Sequence, residues 1–334
     1  MSELTLVTGA SGFIGSHLTR ALVSQGRRVR ALAVDSASAE AARALGAEPV
    51  LGDLADSRAL ERAVAGVSRV YHLAAQVRPL KSFYRRDALA RSYKEVNVDG
   101  TARLARACRG RVEQFIFFSS IAAAGVGRDL YEDSPCRPAT AYGESKRQAE
   151  QALLEAFGRD RFPVKILRPG QAYGPGNLPM LIFYRLVKHG ILPLVGDGSN
   201  HIPFCYVDDI VKIALLVEQK GSPGEIYFGV NDPLTFRQFV AAIAEALGRR
   251  MPKIAVPSWA FRCAARVKDA AERAVGARVY PLCIDFGVEA VKIASSDWLC
   301  RNTKSKERLG FAGQTELAEG ARRTIRWYRD NRLL

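Results

Sequence analysis

Tyr142 and Lys146 stand four residues apart in the run Ala141-Tyr142-Gly143-Glu144-Ser145-Lys146, which opens a helical stretch reaching about Phe157. On a helix that spacing puts both side chains on one face, so an ammonium near the phenol oxygen lowers its pKa by favouring the phenolate. A serine hydroxyl from the end of the preceding strand, at Ser119-Ser120-Ile121, reaches the same point. Together they read as a proton-transfer site: tyrosine as acid/base, lysine as electrostatic support, serine as donor to a carbonyl or alkoxide. Tyrosine and lysine meet this way by chance in many helices, so the reading depends on what comes before them.

What comes before is a strand and a glycine turn at the start of the chain. Leu4 to Thr8 is apolar and β-prone and runs into Gly9, Ala10, Ser11, Gly12, Phe13, Ile14 and Gly15, followed by the amphipathic run Ile14 to Ser24. Gly9 permits backbone angles that a side chain forbids, Gly12 lets a phosphate approach the main chain, and Gly15 lets the new helix pack on the strand. The free N–H groups and dipole of that helix favour an anion, so the stretch reads as a pyrophosphate cradle for a dinucleotide. Lys146 then gains a second role as a ribose ligand.

The elements that carry these groups alternate strand with helix. Strands are expected at Arg28 to Val34, Glu48 to Leu51, Arg69 to His72 and Gln114 to Phe118, with helices at Ala37 to Leu45, Arg58 to Ala65 and a long one from about Phe83 to Cys108. That order predicts an α/β, doubly wound parallel sheet. Asp35, at the end of the second strand, is the candidate acid for the adenosine ribose, and no arginine follows it to greet a 2′-phosphate, so coenzyme choice leans to NAD over NADP. Asp53, in Gly52-Asp53-Leu54, can accept from the adenine amine, whereas Asp56 reads as a helix cap. His72 reads as structural, and Leu73, Ala74 and Ala75 form a small-residue corner suited to lie against the coenzyme. Asn97 falls on the inward side of its helix, where a buried asparagine serves a local hydrogen-bond network.

Length and composition set outer bounds. At 334 residues with 48% apolar content, the chain holds a full doubly wound domain and a smaller appendage. Neither a signal peptide nor an apolar run of membrane-spanning length is visible, so a cytoplasmic protein is expected. Six cysteines (108, 136, 205, 263, 283 and 300) show no Cys-x-x-Cys pair, which argues against a zinc site or a disulfide framework. The net charge of +15 is spread along the chain without a long basic run or aromatic platform, which argues against nucleic acid and leaves plain solubility of an arginine-rich chain, an acidic ligand or an anionic membrane surface.

These residues resemble the extended short-chain dehydrogenase/reductase family over nearly the whole chain. The likeness rests on Thr8 to Gly15, Gly52-Asp53-Leu54, His72 to Ala75, Asn97, Ser119-Ser120, Tyr142 with Lys146, and Arg168-Pro169-Gly170 with Tyr173-Gly174-Pro175. It implies a Rossmann domain at residues 1–170 and a smaller, mainly substrate-binding α/β domain at 171–334, some of whose segments return to the sheet. It implies Ser120, Tyr142 and Lys146 as the catalytic set, with Asn97 holding a water near the lysine. Coenzyme contacts are implied at Gly9, Ser11, Gly12, Phe13, Ile14, Gly15, Asp35, Asp53, Leu54, Leu73, Ala74, Ala75, Ser119, Tyr142, Lys146 and Pro169. Ala33 departs from NAD-using relatives, which often carry Asp there. A homodimer is implied as well, packed through the helices at about 83–108 and 140–157.

Substrate class is read from the stretch Gly196 to Val207. Nucleotide-sugar epimerases and dehydratases place an arginine there to clamp a phosphate, and here that position holds Ile202. The same stretch, with Ser119-Ser120-Ile121, is similar to 3β-hydroxysteroid and sterol-4α-carboxylate dehydrogenases, which implies a sterol-like alcohol and, with a 4α-carboxylate, decarboxylation after oxidation. Nucleotide-sugar epimerisation or dehydration, and a non-catalytic coenzyme sensor, are the alternatives. Arg78, Lys81, Tyr84, Arg85 and Arg86 form a basic cluster suited to a substrate carboxylate. From Val256 to Arg278, Trp259, Phe261, Ala264, Val267, Ala271 and Val275 mix with Arg262, Arg266, Lys268, Arg273 and Arg278. That pattern suits either a helix lying on an anionic membrane or a helix with one core face and one solvated face.

Overall fold

The computed structural model describes residues 3–77, 86–275 and 294–334. Its first half is β1 (Leu4–Thr8), α1 (Phe13–Ser24), β2 (Arg28–Ala33), α2 (Ser36–Ala44), β3 (Glu48–Leu51), α3 (Ser57–Val64), β4 (Val67–His72), α4 (Arg86–Tyr93), a π-helical turn (Lys94–Gly100), α5 (Thr101–Cys108), β5 (Gln114–Phe118), α6 (Ile121–Ala124), β6 (Gly127–Leu130), α7 (Ala141–Asp160) and β7 (Val164–Pro169). The second half is β8 (Gln171–Tyr173), α8 (Leu181–Lys188), β9 (Leu194–Val195), β10 (His201–Ile202), β11 (Phe204–Tyr206), α9 (Val207–Lys220), β12 (Ile226–Gly229), β13 (Leu234–Thr235), α10 (Phe236–Leu247), β14 (Ala255–Val256), α11 (Ser258–Val275), β15 (Trp298–Cys300), α12 (Thr303–Leu309) and α13 (Leu317–Asp330).

Seven strands form one parallel sheet in the order β12-β7-β5-β4-β1-β2-β3. β1 and β7 are buried along their whole length, because helices cover both faces, and this explains why the strands read as continuous apolar runs. One buried cluster, with Val7, Leu18, Ile116, Leu167 and Ile213, lies on one face; a second, with Leu6, Leu60, Leu104, Phe117 and Leu153, lies on the other. Chain order reverses between β1 and β4, so the carboxyl ends of these strands border the crevice where such sheets bind ligands. The strands and short helices expected from sequence fall within a few residues of those observed.

The expected single helix from Phe83 to Cys108 needs correction. Residues 83–85 lie outside the described ones, and from Arg86 the helix is interrupted by the π turn Lys94–Gly100. A π turn accommodates one extra residue per turn and changes which side chains face inward. Asn97 sits in it, 1% exposed.

In the second half, α8, α10 and α13 enclose a third cluster around Tyr173, Tyr184, Phe204, Phe239 and Tyr328. The short pairs β8–β11, β9–β14, β10–β13 and β6–β15 lie outside the main sheet, while β12 returns to it beside β7. Asp297 ties β6 to β10: it is paired with Arg128 at 2.7 Å and accepts from the His201 backbone N–H at 2.9 Å. Among the described residues no helix is long and apolar enough to cross a membrane.

Candidate active site

Every sequence-predicted coenzyme residue on a strand end lies along the carboxyl edge of the sheet. The glycine turn follows β1, Asp35 follows β2, Asp53 follows β3, Leu73 to Ala75 follow β4, Ser119 and Ser120 follow β5, and Pro169 closes β7. Gly9 has φ +73°, and a Cβ there stands 2.9 Å from the Ala74 backbone nitrogen, so the turn and the small-residue corner are pressed together. A Cβ on Gly15 lies 2.0 Å from the Gly9 carbonyl oxygen, which closes that position to any other residue.

Two further features fit a bound dinucleotide. α1 begins at Gly12 with no side-chain cap, which leaves the first-turn N–H groups beside Phe13 and Ile14 for an anion. Ser119, 4% exposed, has a buried hydroxyl oxygen with no hydrogen-bond partner, an arrangement that a buried polar group tolerates poorly. The acidic candidates are less committed. Asp35 is exposed and caps α2, accepting from the Ser38 hydroxyl at 2.6 Å and the Ser38 N–H at 2.8 Å, and these bonds hold its carboxyl below the usual range. Asp53 accepts from the N–H groups of Ala55 and Asp56 at 2.7 and 3.0 Å in a turn of its own. Asp56 caps α3 through Ala59. Leu54 is buried against Gly100 of the π turn.

Ser120, Tyr142 and Lys146 come together at this edge. The Ser120 hydroxyl oxygen accepts from the Ala122 N–H at 3.1 Å, and the Ser120 hydroxyl acts on Tyr142 to favour the phenolate. Lys146 is 2% exposed, with Nζ 4.4 Å from the centre of the Phe117 ring. Sequence reasoning expected the ammonium to lower the phenol pKa, and the structure corrects this. Burial pushes the Tyr142 phenol up to about 12 against the pull of Ser120, and burial brings the Lys146 ammonium down to about 7 despite Glu150. In both groups desolvation of the charged form is the largest influence.

A hydrogen-bonded chain that sequence reasoning missed runs beneath the site. Thr8 Oγ1 lies 2.7 Å from His72 Nδ1, and His72 Nε2 lies 2.8 Å from Thr101 Oγ1. The Thr101 hydroxyl donates to the Asn97 carbonyl at 2.7 Å, and the Ala74 N–H donates to Thr8 Oγ1 at 3.1 Å. Each hydroxyl has one hydrogen, so Thr101 accepts from His72 Nε2–H and Thr8 donates to Nδ1. His72 is thus neutral and fixed in one tautomer, and burial, with Lys146 nearby, drops its pKa to about 3. Its structural reading from sequence agrees with this.

Asn97 Oδ1 accepts from the Gln76 N–H at 2.8 Å, and Asn97 Nδ2 donates to the Gln76 carbonyl at 3.0 Å and to Ser145 Oγ at 2.9 Å. The Tyr93 ring stands 6.1 Å from that of Tyr142, edge to face. Tyr93, Asn97 and Thr101 recur every four residues, and that spacing was the available signal for this inward stripe. Arg78, Lys81, Tyr84 and Arg85 lie outside the described residues, as does the Arg86 side chain.

A glycine turn at the crevice of a seven-stranded parallel sheet, with Ser120, Tyr142 and Lys146 along the same edge, is the setting of an NAD-dependent enzyme of the dehydrogenase, epimerase and dehydratase type. The chain belongs to the NAD dependent epimerase/dehydratase family, whose model matches residues 5–228, within the extended short-chain dehydrogenase/reductases. It is 30% identical to the 4-hydroxy-2-methyl-3-oxo-4-farnesyl-3,4-dihydroquinoline-1-oxide ketoreductase of Stigmatella aurantiaca, over 95% of this chain and 94% of that one. It is also 30% identical to sterol demethylase protein B of Methylococcus capsulatus, over 99% of both chains. The dTDP-glucose 4,6-dehydratase DesIV of Streptomyces venezuelae, solved with NAD and TYD bound, superposes with a TM-score of 0.75 at 27% identity, over 98% of each chain.

Proposed function

We propose that this enzyme uses NAD to oxidise the 3β-hydroxyl of a sterol-like substrate. The observation that carries the substrate class is Ile202, which occupies the place of the phosphate-clamping arginine. Ile202 packs with Phe183 against the buried cluster that includes Phe204 and Phe236, so this position carries an apolar side chain in place of a guanidinium. The likeness to sterol demethylase protein B supports the same class.

The coenzyme supplies the hydride acceptor. Gly9, Gly12, Gly15, the first turn of α1 and Ser119 hold it, and Leu73, Ala74, Ala75 and Pro169 line its path. Ser120 orients the substrate oxygen and favours the Tyr142 phenolate, Tyr142 takes the hydroxyl proton, and Lys146 holds the ribose. Where the substrate carries a 4α-carboxylate, oxidation gives a β-keto acid, which then loses carbon dioxide. NAD is preferred to NADP because the strand-end charge after β2 is Asp35. The enzyme works as a homodimer through α4, α5 and α7, on the cytoplasmic side, where a substrate of this kind resides in the membrane.

The test is reduced-coenzyme absorbance with NAD and NADP against a 3β-hydroxysteroid and a 4-carboxysterol, with UDP-sugars followed by product analysis. Absorbance that grows with a sterol and NAD is expected. Silence with sterols together with conversion of a UDP-sugar overturns the reading.

A further inference from the structure

The sequence pattern of α11 allowed a buried apolar face, yet the structure turns that face outward. Trp259 is 65% and Val267 70% exposed, and Cys263 between them is exposed as well. Ala270 and Ala274 continue the same line at three- and four-residue spacing and are also exposed. On the opposite side of the helix, Ala265 is 1% exposed, and Phe261 and Lys268 are partly buried. The helix is therefore seated on the body along its Phe261-Ala265 line, and its tryptophan-bearing stripe points away from it.

Charge borders that stripe. Arg262 and Arg266 are exposed one helical turn apart along its edge. From Arg249 through Val275 the sequence holds seven basic residues against two acidic ones. Ile254, 45% exposed where the chain enters β14, adds an apolar group just before the helix. Isolated surface apolar residues are ordinary, but an apolar stripe on an 18-residue helix with arginines along it has the form of an interfacial helix.

We propose that α11 docks this enzyme on an anionic lipid surface, with Trp259 and Val267 in the headgroup–acyl boundary and Arg262 and Arg266 on lipid phosphates. Charge complementarity selects that occupant. A second copy of this chain would bring arginine against arginine in a protein that already carries +15, whereas an anionic bilayer offers both the apolar bed and the counter-charge. The inference rests on the exposed face of α11 and is independent of the substrate reading. A protein docked in this way collects bilayer-resident substrates of any type.

Flotation of the 334-residue chain with phosphatidylglycerol–phosphatidylcholine vesicles, against phosphatidylcholine vesicles alone, tests it without substrate. Binding to the anionic vesicles with a blue shift in tryptophan emission is expected, weakened by about tenfold or more in Trp259→Ser/Val267→Ser and in Arg262→Glu/Arg266→Glu. Coenzyme affinity in both variants should match the parent, which confirms that they fold. Absence of vesicle binding, or binding unchanged in both variants, overturns the proposal. So does self-association that Trp259→Ser/Val267→Ser abolishes in a protein indifferent to lipid, since the face then joins two copies of the chain.

Discussion

Asn97 Nδ2 donates to Ser145 Oγ at 2.9 Å, joining the π turn to α7 between Tyr142 and Lys146. Ser145 passes the contact on by donating to the Tyr142 carbonyl at 2.7 Å. Asn97 also closes a two-bond ring with the Gln76 backbone, so one amide fixes the loop after β4 and α7 together.

Asn97→Ala removes these bonds and leaves the Gln76 N–H and carbonyl without that partner. A loss of about 1–3 kcal/mol in folding stability is expected from urea titration. Turnover should fall by on the order of 10²-fold as Tyr142 drifts, with little change in coenzyme affinity. Turnover at the parental rate would show that Asn97 only stabilises the fold.

Tyr142→Phe keeps the ring against Tyr93 and deletes the phenol oxygen. Turnover should drop by on the order of 10²–10⁴-fold while coenzyme binding, followed by fluorescence titration, stays near parental. Ser120→Ala should retain more activity, because it removes an orienting donor and leaves the acid/base group in place.

Much of this site is legible in the sequence because its parts depend on local chemistry. Gly9, Gly12 and Gly15 report a turn that no side chain can enter, and the Tyr142–Lys146 spacing reports a shared helix face whatever surrounds it. The rest depends on contacts between distant segments. An extra residue in one turn leaves no mark on composition, so the π turn at Asn97 read as plain helix. The apolar arc of α11 is visible as a pattern, but which arc the body covers was settled by Phe261 and Ala265. Asp35 illustrates the limit of position alone, since a strand-end carboxylate also caps the helix that follows. His72 read correctly as structural, although its link to Thr101 joins residues 29 apart and only the fold reveals it.

Arg168 and Glu150 form a buried pair below the site. They are 1% and 3% exposed, with Nε–Oε1 at 2.8 Å and Nη2–Oε2 at 2.7 Å, and Nη1 has no partner. Glu150→Ala strands the guanidinium and should destabilise by about 3–5 kcal/mol. Glu150→Leu with Arg168→Met removes both charges and should cost much less than the two single changes added together. A double-mutant cycle by urea denaturation measures the difference, and additivity would show that the two charges are not coupled.

The buried lysine sets a pH dependence of stability. Lys146 titrates near its ordinary 10.5 in the unfolded chain and at about 7 in the native one, because burial disfavours the ammonium. Below about pH 7 both states hold the proton, and the native state bears the full penalty of burying a charge. Between about pH 7 and 10.5 the unfolded chain holds a proton that the native state has released, so this group makes stability rise with pH across that window. Lys146→Met should remove the slope and stabilise the protein at about pH 6 by on the order of a few kcal/mol. His72 acts in a separate window: it is about 3 in the native state against 6.5 unfolded, so stability falls as pH drops from 6.5 toward 3. Urea midpoints across both ranges distinguish the two groups, since Lys146→Met should flatten the alkaline rise and preserve the acid fall. An alkaline rise that survives in Lys146→Met would assign it to another group and place the Lys146 ammonium in a better-solvated setting than its burial indicates.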